Sequence, residues 1–552
     1  MAEQMKEAEL EVRAFLRAVV ILVFFSCAGR FAIALSCQVA HHGPPTEAYT
    51  ALLNGDYAKA ETLYRAGLAT NPADTELTAG LVFALLDEQK VQEAADTVKA
   101  DLETSPHSAA LLTLRGYVEF RQGVPWTAVE TANESAKLDP CNARTQMLFA
   151  RLLSLSSMFA SMRDRIVMAH QLDPDNPQIR LSWITTLPPN QRLPELEAYL
   201  AEGIPQSEDK LRRLHQAIDD TRSQVTEPSK SCHLASSVKA TQIPLDYRGL
   251  EMKMNGHTFS LLFNSQDSGI VVNSNAARLA GLKPIPQSQP LSSNGGANKG
   301  YRAVVDSIQV GDLEFHDCVV RVINNALPGA VVGFTGMGVF SHFLVTLDYP
   351  ARKLVLDPLP RRPGEDTAVA QRLNSESEVD GGTESPTGRD GDAGTARTAT
   401  GKQPERFFDR YIAPEMQDYS KVYRLGPDFI LPTQLNGASV KLFLMQGGPT
   451  TLISPQAAGE VTKVDDHPLV RREGIQATAA RVAEVEQITF QFAHVSRQVV
   501  GVAAIDLSTV SKRMEMEISG VIGADTLSGL TLHIDYRDGL VKFDYDPKKA
   551  PH

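Results

Sequence analysis

Four prolines, Pro72, Pro106, Pro140 and Pro174, each follow a polar residue and stand 34 residues apart, and this spacing constrains the fold more than any other feature of the chain. Ala60, Ala94 and Ala128 keep the same spacing, and Gly55 and Gly123 stand two periods apart, as expected for small residues where two helices of one unit touch. Proline stops a helix because it lacks the N–H and restricts the residue before it. A regular series of such stops predicts a series of helix pairs. No single pair of that length can bury its apolar face, so neighbours must stack into a superhelix with a concave groove.

The unit written most clearly, Gly55-Asp56-Tyr57-Ala58-Lys59-Ala60-Glu61 through Asn71-Pro72, closely resembles the tetratricopeptide repeat. The last unit departs from it, with Met162 in the alanine place. Helical pattern continues through Leu196-Tyr199-Leu200 and Leu211-Leu214-Ile218, read as a capping pair, and Val225 to Lys230 reads as a linker. The resemblance implies an all-α superhelix over 41–225 whose groove takes a peptide or a partner protein.

From about Cys232 the helical period gives way to alternation, with short β-branched runs between glycine and asparagine turns. One repeat is visible inside this region. Gly333-Phe334-Thr335-Gly336, Phe343-Leu344-Val345-Thr346-Leu347-Asp348-Tyr349 and Leu354-Val355-Leu356-Asp357 return as Gly520-Val521-Ile522-Gly523, Leu530-Thr531-Leu532-His533-Ile534-Asp535-Tyr536 and Val541-Lys542-Phe543-Asp544. The offset is constant, 523 − 336 and 535 − 348 both being 187, so the chain carries two copies of one all-β unit. Each copy opens with an apolar strand broken by a polar turn: Leu261 to Val272 in the first, Leu442 to Ser454 in the second.

Opening turn, central hairpins, apolar-Gly turn and closing strands, in this order, resemble the retropepsin-like aspartic peptidases. The resemblance implies two lobes, 232–360 and 409–548, which pair within one chain, joined by a disordered tether at 361–408 rich in Gly, Ser, Thr, Asp and Glu. In that family each lobe supplies one aspartate from an Asp-Thr-Gly turn. Here Asn264-Ser265-Gln266 and Gln446-Gly447-Gly448 stand in those places, so Asn264 and Gln446 are vestigial positions. The binding surface implied by the family falls on Gly269 and Gly448 of the opening segments and on Gly295, Gly296 and Gly300 of a glycine-rich stretch in the place of the flap.

Aspartic peptidases hold two carboxylates so close that they share one proton, one acting as base and the other as acid. An amide can bind the same water but cannot take its proton. Loss of a general base costs on the order of 10² to 10⁴ in rate, and both are replaced. The expectation is therefore a binding protein that has lost proteolysis. The alternative is an active endopeptidase built on Asp267, which in Asp267-Ser268-Gly269 spells a variant triplet, with a partner acid from elsewhere. No Gly-x-Ser-x-Gly elbow is present. His316-Asp317-Cys318 reads as an alternating strand with His316 and Cys318 on one face, and Asp525 as a scaffold group of the second supporting turn.

A net charge of −12, with no basic block interleaved with aromatics, excludes nucleic acid as the expected partner. Five scattered cysteines, without Cys-x-x-Cys or Cys/His spacing, predict neither a disulfide framework nor a zinc site, and no cofactor is expected. The apolar run from Ala18 to Leu35 with the small-residue exit before Cys37 predicts, within 1–40, a signal peptide or a membrane anchor. The remainder then lies outside the cytoplasm, periplasmic or anchored there, and the membrane is met only through that segment.

Overall fold

The computed structural model describes residues 37–226, 233–234, 241–245, 249–264, 269–285, 291–292, 299–324, 331–363, 407–426, 428–445, 450–461, 465–467 and 482–545. The N-terminal segment 1–36, positions 364–406 of the tether, and Asp267, Gly295, Gly296, Gln446 and Gly448 lie outside them.

The helical array runs as α1 (Glu47–Asn54), α2 (Tyr57–Thr70), α3 (Thr75–Asp87), α4 (Val91–Thr104), α5 (Ala109–Arg121), α6 (Pro125–Leu138), α7 (Ala143–Leu155), α8 (Phe159–Leu172), α9 (Pro177–Thr185), α10 (Pro189–Ala201) and α11 (Glu208–Thr226). The proline column works together with its neighbours. Asn71, Ser105, Asp139 and Asp173, each just before a proline, cap the end of the preceding outer helix. Two residues past each proline, Asp74, Ser108, Asn142 and Asn176 accept first-turn N–H groups of the next inner helix, each N-cap stabilising by about 1 kcal/mol. Ala60, Ala94 and Ala128 are fully buried, because anything larger would push the paired helices apart. Phe83 and Tyr117 of successive inner helices meet edge to face at 5.2 Å.

One expectation fails here. Cys37 and Cys141 form a disulfide across 104 residues, which ties the segment before α1 to the loop before α7. Cys318 is disulfide-bonded as well. Cysteine spacing did not disclose these bonds because the pairing depends on how the chain folds back, not on separation along it.

The principal strands of the first lobe are β1 (Thr241–Pro244), β2 (Leu250–Met254), β3 (His257–Asn264), β4 (Ile270–Asn273), β5 (Leu291–Ser292), β6 (Lys299–Val310), β7 (Leu313–Ile323), β8 (Gly333–Gly336), β9 (Phe343–Asp348) and β10 (Lys353–Pro358). Those of the second are β11 (Ser420–Lys421), β12 (Asp428–Leu435), β13 (Val440–Met445), β14 (Leu452–Ile453), β15 (Val482–Phe492), β16 (Val495–Ala504), β17 (Gly520–Ile522), β18 (Leu530–Asp535) and β19 (Leu540–Tyr545). The central pairings recur: β3 lies parallel to β8 and β13 parallel to β17, while β4 and β14 run antiparallel to the same partners.

Closing strands of both lobes form one six-stranded sheet in the order β11-β19-β18-β9-β10-β1. Across its centre Thr346 faces His533, residues separated by 187 positions. That separation equals the repeat offset, so an approximate two-fold axis passes through this pair, as in an isologous dimer interface. Leu347, Leu354, Leu532, Ile534 and Phe543 line the buried side of this sheet within one apolar core shared by the lobes.

The alternation expected at His316-Asp317-Cys318 is broken. Asp317 has φ +56°, which turns Cys318 into the core while His316 stays outward. The two side chains do not share a face. A second apolar cluster joins the helical array to the outer face of the second lobe's sheet, with Ile430, Leu442, Leu444 and Val521 buried against it.

Candidate functional site

In each lobe a central strand leads to the opening segment. In the first, Leu262, Phe263 and Asn264 pair with Phe334, Thr335 and Gly336. In the second, Leu444 and Met445 pair with Val521 and Ile522. Phe334 and Val521 are equivalent through the repeat, so Leu262 matches Leu444 and Phe263 matches Met445. The next residues in the chain are Asn264 and Gln446. Asn264 ends β3 opposite Gly336, and the backbone resumes at buried Gly269, whose carbonyl accepts the Gly336 N–H at 2.9 Å. Asn264, Gly269 and Gly336 are thus brought together at the mouth of the first lobe.

Close approach explains the glycines of the supporting strands. A Cβ on Gly333 would lie 2.2 Å from the Val271 carbonyl oxygen, and one on Gly520 would lie 1.9 Å from the Phe443 ring and 2.6 Å from the Leu452 oxygen.

The lobes differ underneath the turn. In the second, both carboxylate oxygens of Asp525 accept the Thr451 N–H, at 3.0 and 2.8 Å, and the Thr451 hydroxyl also donates to Asp525. The Thr526 N–H donates to the same carboxylate at 2.7 Å, and the Gly523 N–H donates to the Thr451 hydroxyl at 3.0 Å. Asp525 is a scaffold group whose acceptor capacity is engaged by the turn. In the first lobe the matching residues are Gly338 and Ile270, so the polar brace is absent as a unit. Thr451 was missed in the sequence because its value depends on Asp525, 74 residues away. The available signal was that only the second supporting turn carries an acid.

Leu291 and Ser292 pair antiparallel with Gly300 and Lys299, while Gly295 and Gly296 lie outside the described residues. Gly300 itself is set by sheet packing, since a Cβ there would come 2.4 Å from the Val322 oxygen.

On the open side of the six-stranded sheet, Thr346 Oγ1 lies 2.9 Å from His533 Nδ1, and His533 Nε2 lies 3.1 Å from Asp544. Asp348, Lys353 and Asp357 complete a depression of ≈ 430 Å³. The Thr-His-Asp order resembles a relay. It lies, however, on a ladder in which Thr346, Leu347 and their neighbours pair with strands on both sides, and this leaves no pair of converging N–H donors for an oxyanion. We assign these contacts to clamping the lobes at their axis. Among the described residues no group of three or more His, Cys, Asp or Glu could hold a metal, and no helix is long and apolar enough to cross a membrane.

Helical repeats followed by two copies of a β-barrel lobe define the class: a tetratricopeptide-type array fused to a retropepsin-like pair. Comparison with known proteins agrees, as residues 250–338 match the family model described as Aspartyl protease and residues 51–116 match that described as Tetratricopeptide repeat. Among solved structures, a retropepsin-like aspartic protease from Rickettsia conorii is 19% identical, covering 22% of this chain and 93% of that one with a TM-score of 0.18. A thermophilic TPR protein from Thermus thermophilus is 18% identical, covering 30% of this chain and 91% of that one with a TM-score of 0.25. No curated protein matches the chain.

Proposed function

We propose that this chain is an exported polypeptide-binding protein, in which two retropepsin-like lobes work as a pair within one chain and hold an extended segment between them without cutting it. The observation that carries the reading is the register of the opening strands. Matched positions one residue beyond Phe263 and Met445 are Asn264 and Gln446, two neutral amides where hydrolysis needs two acids. The acid of the second supporting turn, Asp525, is committed to Thr451 and Thr526.

Main-chain hydrogen bonding to an added strand needs no carboxylate, so binding can outlast catalysis. The six-stranded sheet supports pairing in cis, because both halves of the interface come from one chain. Disulfide bonding of Cys37, Cys141 and Cys318 supports an oxidising compartment outside the cytoplasm, periplasmic or anchored facing it.

The test is incubation of the purified full chain with a reduced, unfolded protein at about pH 4 to 7, with and without a pepstatin-type inhibitor. Binding without cleavage is expected. Inhibitable cleavage that disappears in Asp267→Asn would overturn the reading in favour of an endopeptidase using Asp267 and a partner acid.

A further inference from the structure

The groove edge of the helical array is not open. The second lobe's short helix Ser508–Met514 ends at Glu515, whose left-handed backbone, φ +49°, reverses the chain. The reversal keeps Met514 and Met516 buried while Glu515 projects toward the ends of the inner helices. Arg151 of α7 pairs with it at 2.6 Å and also lies 5.8 Å from the centre of the Tyr117 ring of α5. Arg151 foremost, with Arg121 of α5 and Lys210 of α11, holds the Glu515 carboxyl below its usual range. Asp87 of α3 and Tyr57 of α2 also face this cluster.

The backbone joins the contact as well. The Glu517 N–H donates to the Arg121 carbonyl at 2.8 Å, and the Glu517 oxygen approaches Gly123 so closely that a Cβ there would sit 2.7 Å away. Ile505, Leu507, Met514, Met516 and Ile518 are buried in the same apolar cluster as Tyr117 and Leu155.

The connection that makes this contact is longer in the second lobe than its counterpart in the first. Between matched residues the first lobe has 323–332, ten residues, and the second has 505–519, fifteen. Where the first lobe carries exposed Ser260 and half-buried Arg321, the second carries buried Leu442 and Ala503. The longer connection and the apolar outer face occur together in the second lobe.

We propose that the groove edge is an interaction surface whose resident occupant is the segment Ile505–Ile518 of the same chain. A partner that reaches this edge in trans is a peptide with an acidic residue between thioether or aliphatic side chains, and it binds only by displacing that segment. Arg151 and Glu515 keep 43% and 55% of their side-chain surface open to solvent. The ion pair therefore orients the segment, and the buried methionines and Ile518 hold it. This inference does not depend on whether the lobes cleave.

A labelled synthetic peptide with the sequence of residues 505–518, followed by fluorescence anisotropy against the full chain, tests it. If the open state is populated at about 0.1 to 10%, Met516→Asp should tighten peptide binding by about 10- to 1,000-fold over wild type. Adding Arg151→Glu should weaken the tightened binding by about two- to fivefold, the share of a solvent-open ion pair. Equal binding by wild type and Met516→Asp, or binding to Met516→Asp that is unchanged by Arg151→Glu, would overturn the proposal. Should Met516→Asp fail to fold, hydrogen exchange at the Glu517 amide decides. Glu515→Arg, at a solvent-open side chain, is expected to speed it and the Glu515→Arg/Arg151→Glu exchange to restore it. Exchange unchanged by Glu515→Arg would sink the idea.

Discussion

Asp535 provides a measurable pH signature. It ends β18 at 1% exposure, with one oxygen accepting the Asp538 N–H at 3.1 Å and Oδ2 buried without a hydrogen-bond partner among the described residues. Burial, and then the charge of Asp538, push its carboxyl up to about 6. Asp538 is itself buried, paired with Arg362 and Arg537 and accepting the Tyr411 N–H. A raised carboxyl means that the folded chain binds the proton more tightly than the unfolded one, so stability is greatest with Asp535 protonated and falls as pH rises through the window from about 4 to about 6. A shift of about two units corresponds to roughly 3 kcal/mol at 1.36 kcal/mol per unit, taken as an upper bound. Asp535→Asn should therefore be more stable than wild type by up to about 3 kcal/mol near pH 7.5 and nearly equal to it near pH 4. Urea unfolding followed by far-ultraviolet circular dichroism is the suitable assay, because both tryptophans, Trp126 and Trp183, sit in the helical array and would not report on the lobes. Asp428, also raised to about 6 by burial, shapes the wild-type profile but cancels in the difference between the two proteins. No gain in Asp535→Asn near pH 7.5, or a gain that grows toward acid, would refute the reasoning.

Three further outcomes follow from the packing. Gly520→Ala should destabilise the second lobe by about 2 to 4 kcal/mol in denaturant unfolding, since the added methyl meets the Phe443 ring and the Leu452 carbonyl. Asp525→Ala should cost roughly 2 to 3 kcal/mol and speed hydrogen exchange at Thr451, which loses its charged acceptor, whereas Asp525→Asn should cost less. Reducing Cys37–Cys141, which closes a span of 104 residues, should lower the array's stability by up to about 4 to 5 kcal/mol, read by tryptophan fluorescence.

The fold was legible where local chemistry repeats. Proline at a fixed period, small residues between helices and the offset between the two β-units are all written along the chain, and the helix pairs and matched lobes follow from them. Even the N-cap column, Asp74, Ser108, Asn142 and Asn176, was available two residues past each proline. Of the candidate site, the matched ends of the opening strands, Phe263 and Met445, were legible from the repeat offset. The brace beneath the second turn was not, since Thr451 gains meaning only when Asp525 arrives from a distant segment.

By itself the amino-acid sequence determined which elements form and which of them are copies, because helix stops, caps and strand alternation are short-range properties. Only the tertiary structure decided which cysteines pair, that Asp317 turns Cys318 inward, that Thr346 and His533 share the axis, and that the second lobe covers the edge of the groove. Those outcomes depend on surfaces meeting across hundreds of residues, and no local pattern encodes which buried face will find which partner.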